Sequence, residues 1–415
     1  MTRALLVHPA LPAVVLAVAQ RLEADRHAAH VAGECLADLL RGRPRRHFAL
    51  CTTAAPHEIA TLFERAVPTR AAGLAFQLPT PAGPVDLLPL GAGHTIADTL
   101  GLRGLTLLAM AWRPVGDEWL DPYAGRADLE QGMLRSVGAP ERELERAPLL
   151  ALRIARFVGL YGDAPAPELE AALGKLDAAV LERSPAVVRG RLLRALVTLP
   201  HAGDAISLLA RTGLDAALGV RSKSDTPALL ERAPADPAIR FAIWLRGSRP
   251  GRFFRRHRIA RDLADQVIEL LAAHPLERNF SPRRRASLER LERIPESQRD
   301  ALFWLREQEL RGAPSDAEFA ATRRDFETLA RGFAEHLAAE AARRRAPPLA
   351  LDGQAVMDTL GIDPGPRVGE ALAFLRARVA AAPETNDAAT LRAALRAWAR
   401  AGAHDPGDHQ DDPVD

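Results

Sequence analysis

The sequence predicts an α+β protein, with a small mixed-sheet head followed by an all-helical neck, body and tail. Three observations point there. Up to Leu90, short apolar runs (one ending at Val31, then Phe48–Thr52, Gly73–Leu78 and Val85–Leu90) alternate with short helical stretches. From Pro165 onward the apolar spacing is helical throughout, broken at Ser184-Pro185, Pro200, Pro227, Pro237, Pro250 and Pro282. A chain of 415 residues also exceeds one compact core, so several modules are expected.

In chain order, Leu11–Ala24 reads as a helix with Val14, Val15, Val18 and Leu22 on one face. The stretch Val31–Thr53 then reads as a strand end, a glycine turn at Gly33, a helix over Cys35–Arg41, a Gly42-x-Pro44 break and the strand Phe48–Thr52. A glycine turn that opens a helix gathers backbone N–H groups where a phosphate can sit. The neighbouring strand is placed to offer metal-binding carboxylates at alternate positions. Here that strand face carries His47, Ala49 and Cys51, which bring no negative charge. Pro56–Arg65 reads as a helix turning Ile59, Leu62 and Phe63 inward, and the runs at Gly73–Leu78 and Val85–Leu90 as a hairpin. The head therefore has four or five strands.

Asp121-Pro122 and Gly125 are turn chemistry, and a helix follows from near Pro148 to about Leu160. Ser315-x-x-Glu318 is a capping box opening a long helix. Phe319, Phe326, Leu329, Phe333 and Leu337 form its core stripe. Gly361 ends a helix, Pro364-Gly365 turns, and Pro366 starts the next. The boundaries drawn are a head over 1–140, a neck over 141–225, a body over 226–310, a tail over 311–400 and a disordered acidic end over 401–415.

The composition, 47% apolar and 26% charged, suits a globular protein with a real core. Lys175 and Lys223 are the only lysines, so the formal charge of +2 says less than where the arginines lie. Two cysteines, Cys35 and Cys51, give no disulfide framework and suit a reducing compartment. The apolar start is broken by Pro9 and Pro12, unlike a signal peptide, and no run spans a membrane, so a cytoplasmic protein with no membrane partner is expected. Arg249, Arg252, Arg255, Arg256, His257, Arg258 and Arg261 form a basic run around Phe253-Phe254, with further clusters at Arg283, Arg284, Arg285 and at 343–345. Such clusters suit a phosphate-tracking RNA surface, and equally the solvated helix faces of an arginine-rich chain.

These motifs together resemble the class II CCA-adding tRNA nucleotidyltransferases and bacterial poly(A) polymerases. Gly33, Asp38, Leu39, Leu40, Gly42, Arg43 and Thr52 fit the family's Gly-Gly-x-Val-Arg-Asp-Leu-Leu-x-Gly-Arg-x-x-x-Asp-x-Asp-x-x-Thr segment. Its second Gly is Glu34, its Arg is Ala37, and its two metal-binding Asp positions are His47 and Ala49. Arg103, Thr106, Ala109 and Ala111 fit the next block, where the Asp and Asn positions are Gly104 and Leu108. Asp121, Gly125, Asp128, Arg135, Val137 and Gly138 follow in order. Arg153, Arg156 and Phe157 keep a further block, in which the base-reading Asp and Arg have become Ala147 and Leu150. Leu360–Gly369 matches a C-terminal turn.

The resemblance spans about 8–157 and 345–397, with a looser match between. It implies a polymerase-beta-type nucleotidyltransferase head, a nucleotide cradle of Gly33, Glu34, Asp38, Arg103, Arg153 and Arg156, and a tRNA-holding helical half. With the catalytic pair replaced, the leading expectation is a degenerate member. Such a protein binds tRNA, another structured RNA or a partner protein, and needs no cofactor. Two readings stand beside it: a transferase using magnesium and ATP or CTP at a site rebuilt from Glu34, Asp38 and Asp86, with Asp38 and Asp86 as metal ligands, and a protein-binding regulator. A zinc set of Cys35, His47, Cys51 and His57 has no common zinc spacing.

Overall fold

In the computed structural model, which describes residues 10–43, 47–69, 75–91, 93–313, 317–345 and 348–402, a mixed sheet organises the N-terminal part. Its elements run Ala13–Ala24 (α1), Ala29–Ala32 (β1), Glu34–Leu40 (α2), Phe48–Thr52 (β2), Pro56–Leu62 (α3), Val67–Thr69 (β3), Ala75–Leu78 (β4) and Val85–Pro89 (β5). They continue with Ile96–Gly101 (α4), Ala111–Arg113 (β6), Glu118–Leu120 (β7), Gly125–Gln131 (α5), Pro140–Arg146 (α6) and Leu150–Tyr161 (α7). The strand order is β3-β4-β5-β2-β1-β6-β7. Within this sheet β2 and β5 pair in parallel, with Ala49 opposite Asp86, and the other pairings are antiparallel; Met133–Leu134 and Ala164–Pro165 form a separate two-stranded parallel pair.

The sheet thus has seven strands, where the sequence indicated four or five. The additional strands β3, β6 and β7 are three residues each, too short to show an alternating pattern. Pro68 sits in β3 at one sheet edge, where a missing N–H costs no ladder bond. Stacking of Trp112 on Trp119, with centroids 5.6 Å apart, holds the hairpin at the other edge.

Alternation along the central strands decides which face is core. Phe48, Leu50, Val85, Leu87 and Phe76 are buried, while Ala49, Asp86 and Gln77 on the opposite face are half-buried. That second face carries the candidate site.

Downstream the chain is helical, and buried arginines tie its helix ends. Arg240 donates to the carbonyls of Val197, Leu199, Ala233 and Pro234 at 2.8–3.1 Å, satisfying acceptors that helix ends leave open. Arg189 donates to Leu181 O, Ser184 O and Nδ1 of His257. The His257 ring, 0% exposed, accepts from Arg189 and donates from Nε2 to Leu218 O at 2.9 Å. Phe253 and Phe254 belong to this core, packed with Phe241 and Trp244, so they are not base-stacking aromatics within the basic run.

The chain divides into two compact units, Met1–Ser281 with Glu289–Phe326, and Pro282–Leu288 with Glu327–Asp415. The second has its own core of Leu351, Val356, Ala371, Leu375, Val379, Leu391 and Leu395. Gly361, at φ 66°, ends the helix Gly353–Leu360, and Pro366 opens the helix Pro366–Ala381, as the turn chemistry indicated. Along Ala317–Arg345, Phe326, Leu329 and Phe333 of the expected stripe are buried, while Phe319 and Leu337 at its ends are half-buried. Ser315 of the expected capping box, the side chains of Glu318, Arg344 and Arg345, the first nine residues and the acidic end after Gly402 lie outside the described residues. Among the described residues no helix is long and apolar enough to cross a membrane.

Burial pushes the His257 imidazole down to about 4, so the fold holds it neutral. Its contribution is complete above its unfolded value near 6.5 and is lost as pH falls from there to about 4, roughly 2–3 kcal/mol by pH 4.5. Urea unfolding at pH 7 and pH 4.5 should show this drop, and His257→Gln should remove that part of it.

Candidate functional site

Strand β2 brings His47 and Ala49 to the half-buried face, beside Asp86 on β5 and Gln77 on β4. Asp86 Oδ2 lies 2.7 Å from His47 Nε2, and Asp86 Oδ1 accepts from Gln77 Nε2 at 3.0 Å. Its two oxygens therefore already have partners. The His47 side chain is 51% exposed, so this hydrogen bond is a surface contact worth at most about 1 kcal/mol.

The glycine turn lies where β1 passes into α2. Gly33 has φ +73°, and a Cβ there would stand 2.6 Å from Nη1 of Arg103, so the position accepts only glycine without a shift. Arg103 Nη2 reaches the Cys51 thiol at 3.1 Å. Burial pushes that thiol up, which keeps it protonated. Glu34, the first residue of α2, gives both carboxylate oxygens to Arg156 at 2.8 and 3.0 Å. Arg153, three residues before Arg156 on α7, is half-buried, and its side chain makes no hydrogen bond or ion pair among the described residues. Gly33, Glu34, Arg103, Arg153 and Arg156 are thus brought together.

Asp38 is not part of that cleft surface. It is buried and accepts from the Tyr161 hydroxyl, which burial and the Asp38 carboxylate push well above the usual tyrosine range. One turn on, Nη2 of Arg41 donates to both Asp163 oxygens at 2.8 and 2.9 Å, and its guanidinium lies 4.0 Å from the Tyr161 ring centroid. Tyr161 and Asp163 carry no local sequence signal, since their partners lie over 120 residues away.

Among the described residues no three His, Cys, Asp or Glu side chains gather as a metal site. The expected grouping of Glu34, Asp38 and Asp86 is therefore not formed, because each carboxylate is held by a different partner: Arg156, Tyr161 and His47. The set of Cys35, His47, Cys51 and His57 is not gathered either. Both cysteines are buried, and Cys51 packs beside Ala32, Leu100, Ala109 and Ala111.

The positions that have lost a polar group are filled by apolar packing. Leu108 and Leu150 are each 1% exposed, and a Cβ on Gly104 would stand 3.2 Å from a Leu150 methyl. By contrast, the polar residues of 121–135 are tied for structure. Asp121 accepts from the N–H groups of Gly125 and Arg126, capping α5. Asp128 accepts from Thr106 Oγ1 at 2.7 Å and Arg135 Nε at 2.9 Å. A Cβ on Gly125 would stand 2.1 Å from Thr106 O.

Of the basic clusters, Arg252, Arg255 and Arg258 are exposed and make no side-chain ion pair among the described residues. Arg255, Arg258 and Arg261 line a groove of about 710 Å³ floored by Phe254, Ile259 and Ile268. Arg256 is instead held by Glu182 at 2.7 Å. In the second unit Arg283 and Arg284 are exposed, while Arg285 pairs with Glu340 at 3.1 Å.

No family model matches the chain. The A-adding tRNA nucleotidyltransferase of Deinococcus radiodurans is 30% identical over 368 residues, covering 76% of this chain and 81% of that protein. The CC-adding tRNA nucleotidyltransferase of Shouchella clausii is 33% identical over 141 residues, covering 34% of this chain and only 37% of that relative's length. Among solved structures, the Thermotoga maritima CCA-adding enzyme complexed with tRNA superposes with a TM-score of 0.62 at 16% identity, over 94% of this chain and 96% of that one. At that identity the likeness is one of fold.

Breaking the Arg41–Asp163 pair would strand a guanidinium 6% exposed against a carboxylate site 0% exposed. Asp163→Asn should lower unfolding stability by about 3 kcal/mol, read as the shift of a urea midpoint.

Proposed function

Because the chain belongs to the class II family of CCA-adding tRNA nucleotidyltransferases and bacterial poly(A) polymerases, we propose that it holds tRNA or a similarly structured RNA while its head transfers no nucleotide. One observation carries this reading. The sheet face where the family resemblance puts the metal-binding carboxylate pair bears His47 and Ala49, and Asp86, the acidic side chain beside them, is bound on both oxygens.

Nucleotidyl transfer on two magnesium ions needs carboxylates that bridge ions about 3.5–4 Å apart. Magnesium takes oxygen ligands in near-octahedral geometry, which an imidazole and a methyl do not offer. The donor set therefore does not fit a magnesium pair, and no step is assigned to one. Closure of the base-reading positions supports the same reading. Leu150 against Gly104 leaves packed methyls where a base would need hydrogen-bond partners.

RNA holding is supported by arginines without counter-charge. Arg252, Arg255 and Arg258 present unpaired guanidiniums on one helical surface, and Arg283 and Arg284 do so in the second unit. Beside Arg255 and Arg258 the exposed Ile268 gives the groove an apolar side, so that the guanidiniums can meet phosphates while the sugars lie against hydrocarbon. The T. maritima relative, whose structure is a complex with tRNA, has the same fold.

Incubated with tRNA lacking its 3′ end, labelled CTP and ATP, and magnesium or manganese, the chain should incorporate no label. Incorporation that disappears in Asp86→Ala would overturn the reading. His47→Asp combined with Ala49→Asp should not restore transfer, because Glu34, Ala147 and Leu150 still deny the nucleotide its contacts. In filter binding across salt, tRNA affinity should fall steeply, and Arg255→Glu with Arg258→Glu should weaken it about tenfold and flatten the salt slope by roughly two units. A salt-insensitive or undetectable affinity would remove the RNA half of the reading.

A further inference from the structure

Among the described residues, the cleft beside the Gly33 turn brings three guanidiniums near Glu34, while the other nearby carboxylate, Asp38, is held by the Tyr161 hydroxyl. Arg156 is neutralised by Glu34 through two parallel hydrogen bonds, with both side chains 23% exposed. Arg153, half-buried and under the charges of Glu34, Arg156 and Arg103, has a guanidinium that makes no hydrogen bond or ion pair among the described residues. Arg103 lies against the turn, and its guanidinium donates to the protonated thiol of Cys51.

Such an arrangement is short of negative charge. A guanidinium removed from water needs a partner, and one carboxylate offers a single charge and two oxygens to three forks. Burial already disfavours the charged form of Arg153, with Arg156 and Arg103 adding to that and Glu34 opposing it. An oxyanion with more charge and more acceptors, such as a polyphosphate, would match the cluster better than the side chain now there. It would have to share the cleft with the Glu34 carboxylate, which repels it and occupies the Arg156 fork.

We propose that Glu34 is a resident counter-anion that keeps the Arg103–Arg153–Arg156 cluster closed to polyphosphate, so that removing its charge opens an anion-binding site. The inference rests on the reading that the head takes no nucleotide. It assigns part of that exclusion to charge competition at a side chain remote from His47 and Ala49 in the chain.

The full-length chain is titrated calorimetrically with inorganic pyrophosphate, without RNA or metal, as wild type, as Glu34→Gln and as Glu34→Gln combined with Arg153→Gln. Glu34→Gln keeps the shape and a hydrogen-bonding end while losing the charge. Pyrophosphate should bind Glu34→Gln at least tenfold more tightly than wild type, and adding Arg153→Gln should cancel the gain. Equal affinity in wild type and Glu34→Gln, or a gain that survives loss of Arg153, would overturn the proposal. If Glu34→Gln melts below the titration temperature, Glu34→Ala is judged by the same two criteria. Label incorporation by the wild-type chain would remove the proposed function instead, and the metal-free titrations would still read Glu34 by themselves.

Discussion

The contact between α2, with the residue that caps it, and the end of α7 is the constraint on which the candidate site depends. Three polar links cross it: Glu34 to Arg156, Asp38 to Tyr161, and Arg41 to Asp163. They lie at positions 34, 38 and 41, spaced by four and three residues, so they occupy one face of a two-turn helix. Because α2 has only seven residues, its orientation is set less by its own propensity than by these links and by Leu36 and Leu40 in the core. The same seam fixes the arginines of α7 over the Gly33 turn, so the electrostatics of the cleft follow from how the two helices are bolted together.

A consistent pattern runs through the substitutions at the site. Where this chain departs from the resemblance at positions that would meet a nucleotide, the new residue is apolar or paired internally. Leu108 and Leu150 are core residues, Gly104 makes room for Leu150, and Glu34 is satisfied by Arg156. Positions whose polar groups serve the chain itself remain as the resemblance has them. Asp121 still caps α5, and Asp128 still joins Thr106 to Arg135. A buried polar group without a partner costs more than the same volume filled by methyl groups. A pocket with no ligand to satisfy its polar groups is therefore more stable once it closes around hydrocarbon.

The arginine richness of the chain has two separate causes in the structure. Arg189, Arg240 and Arg246 are buried and spend their donors on helix-end carbonyls, the His257 ring, Asp225 and Glu309. A guanidinium can do this because it presents five donors in a fixed plane. Arg252, Arg255 and Arg258 lie near this core in sequence and yet face solvent without partners. Arginine content alone thus does not measure a nucleic-acid surface, since a buried donor hub and a phosphate-facing guanidinium are written with the same residue.

Much of the architecture was legible in the chain itself. The glycine turn, the strand Phe48–Thr52, the hairpin through 79–84, the stripe around Phe326 and the stop at Gly361 each depend on a short-range rule of backbone geometry or periodicity, which neighbouring residues are enough to state. The absence of acid at positions 47 and 49 was equally plain, because a side chain's chemistry does not wait for folding. Tertiary structure alone decided the partners. It put Glu34 on Arg156, Asp38 under Tyr161 and Asp86 beside His47 and Gln77, which separates three carboxylates that the sequence allowed to converge. It also added three-residue strands at both ends of the sheet and sank Phe253 and Phe254 into the core. Charge pairing and burial depend on distances between segments from nine to more than a hundred and twenty residues apart, and local sequence contains no record of those distances.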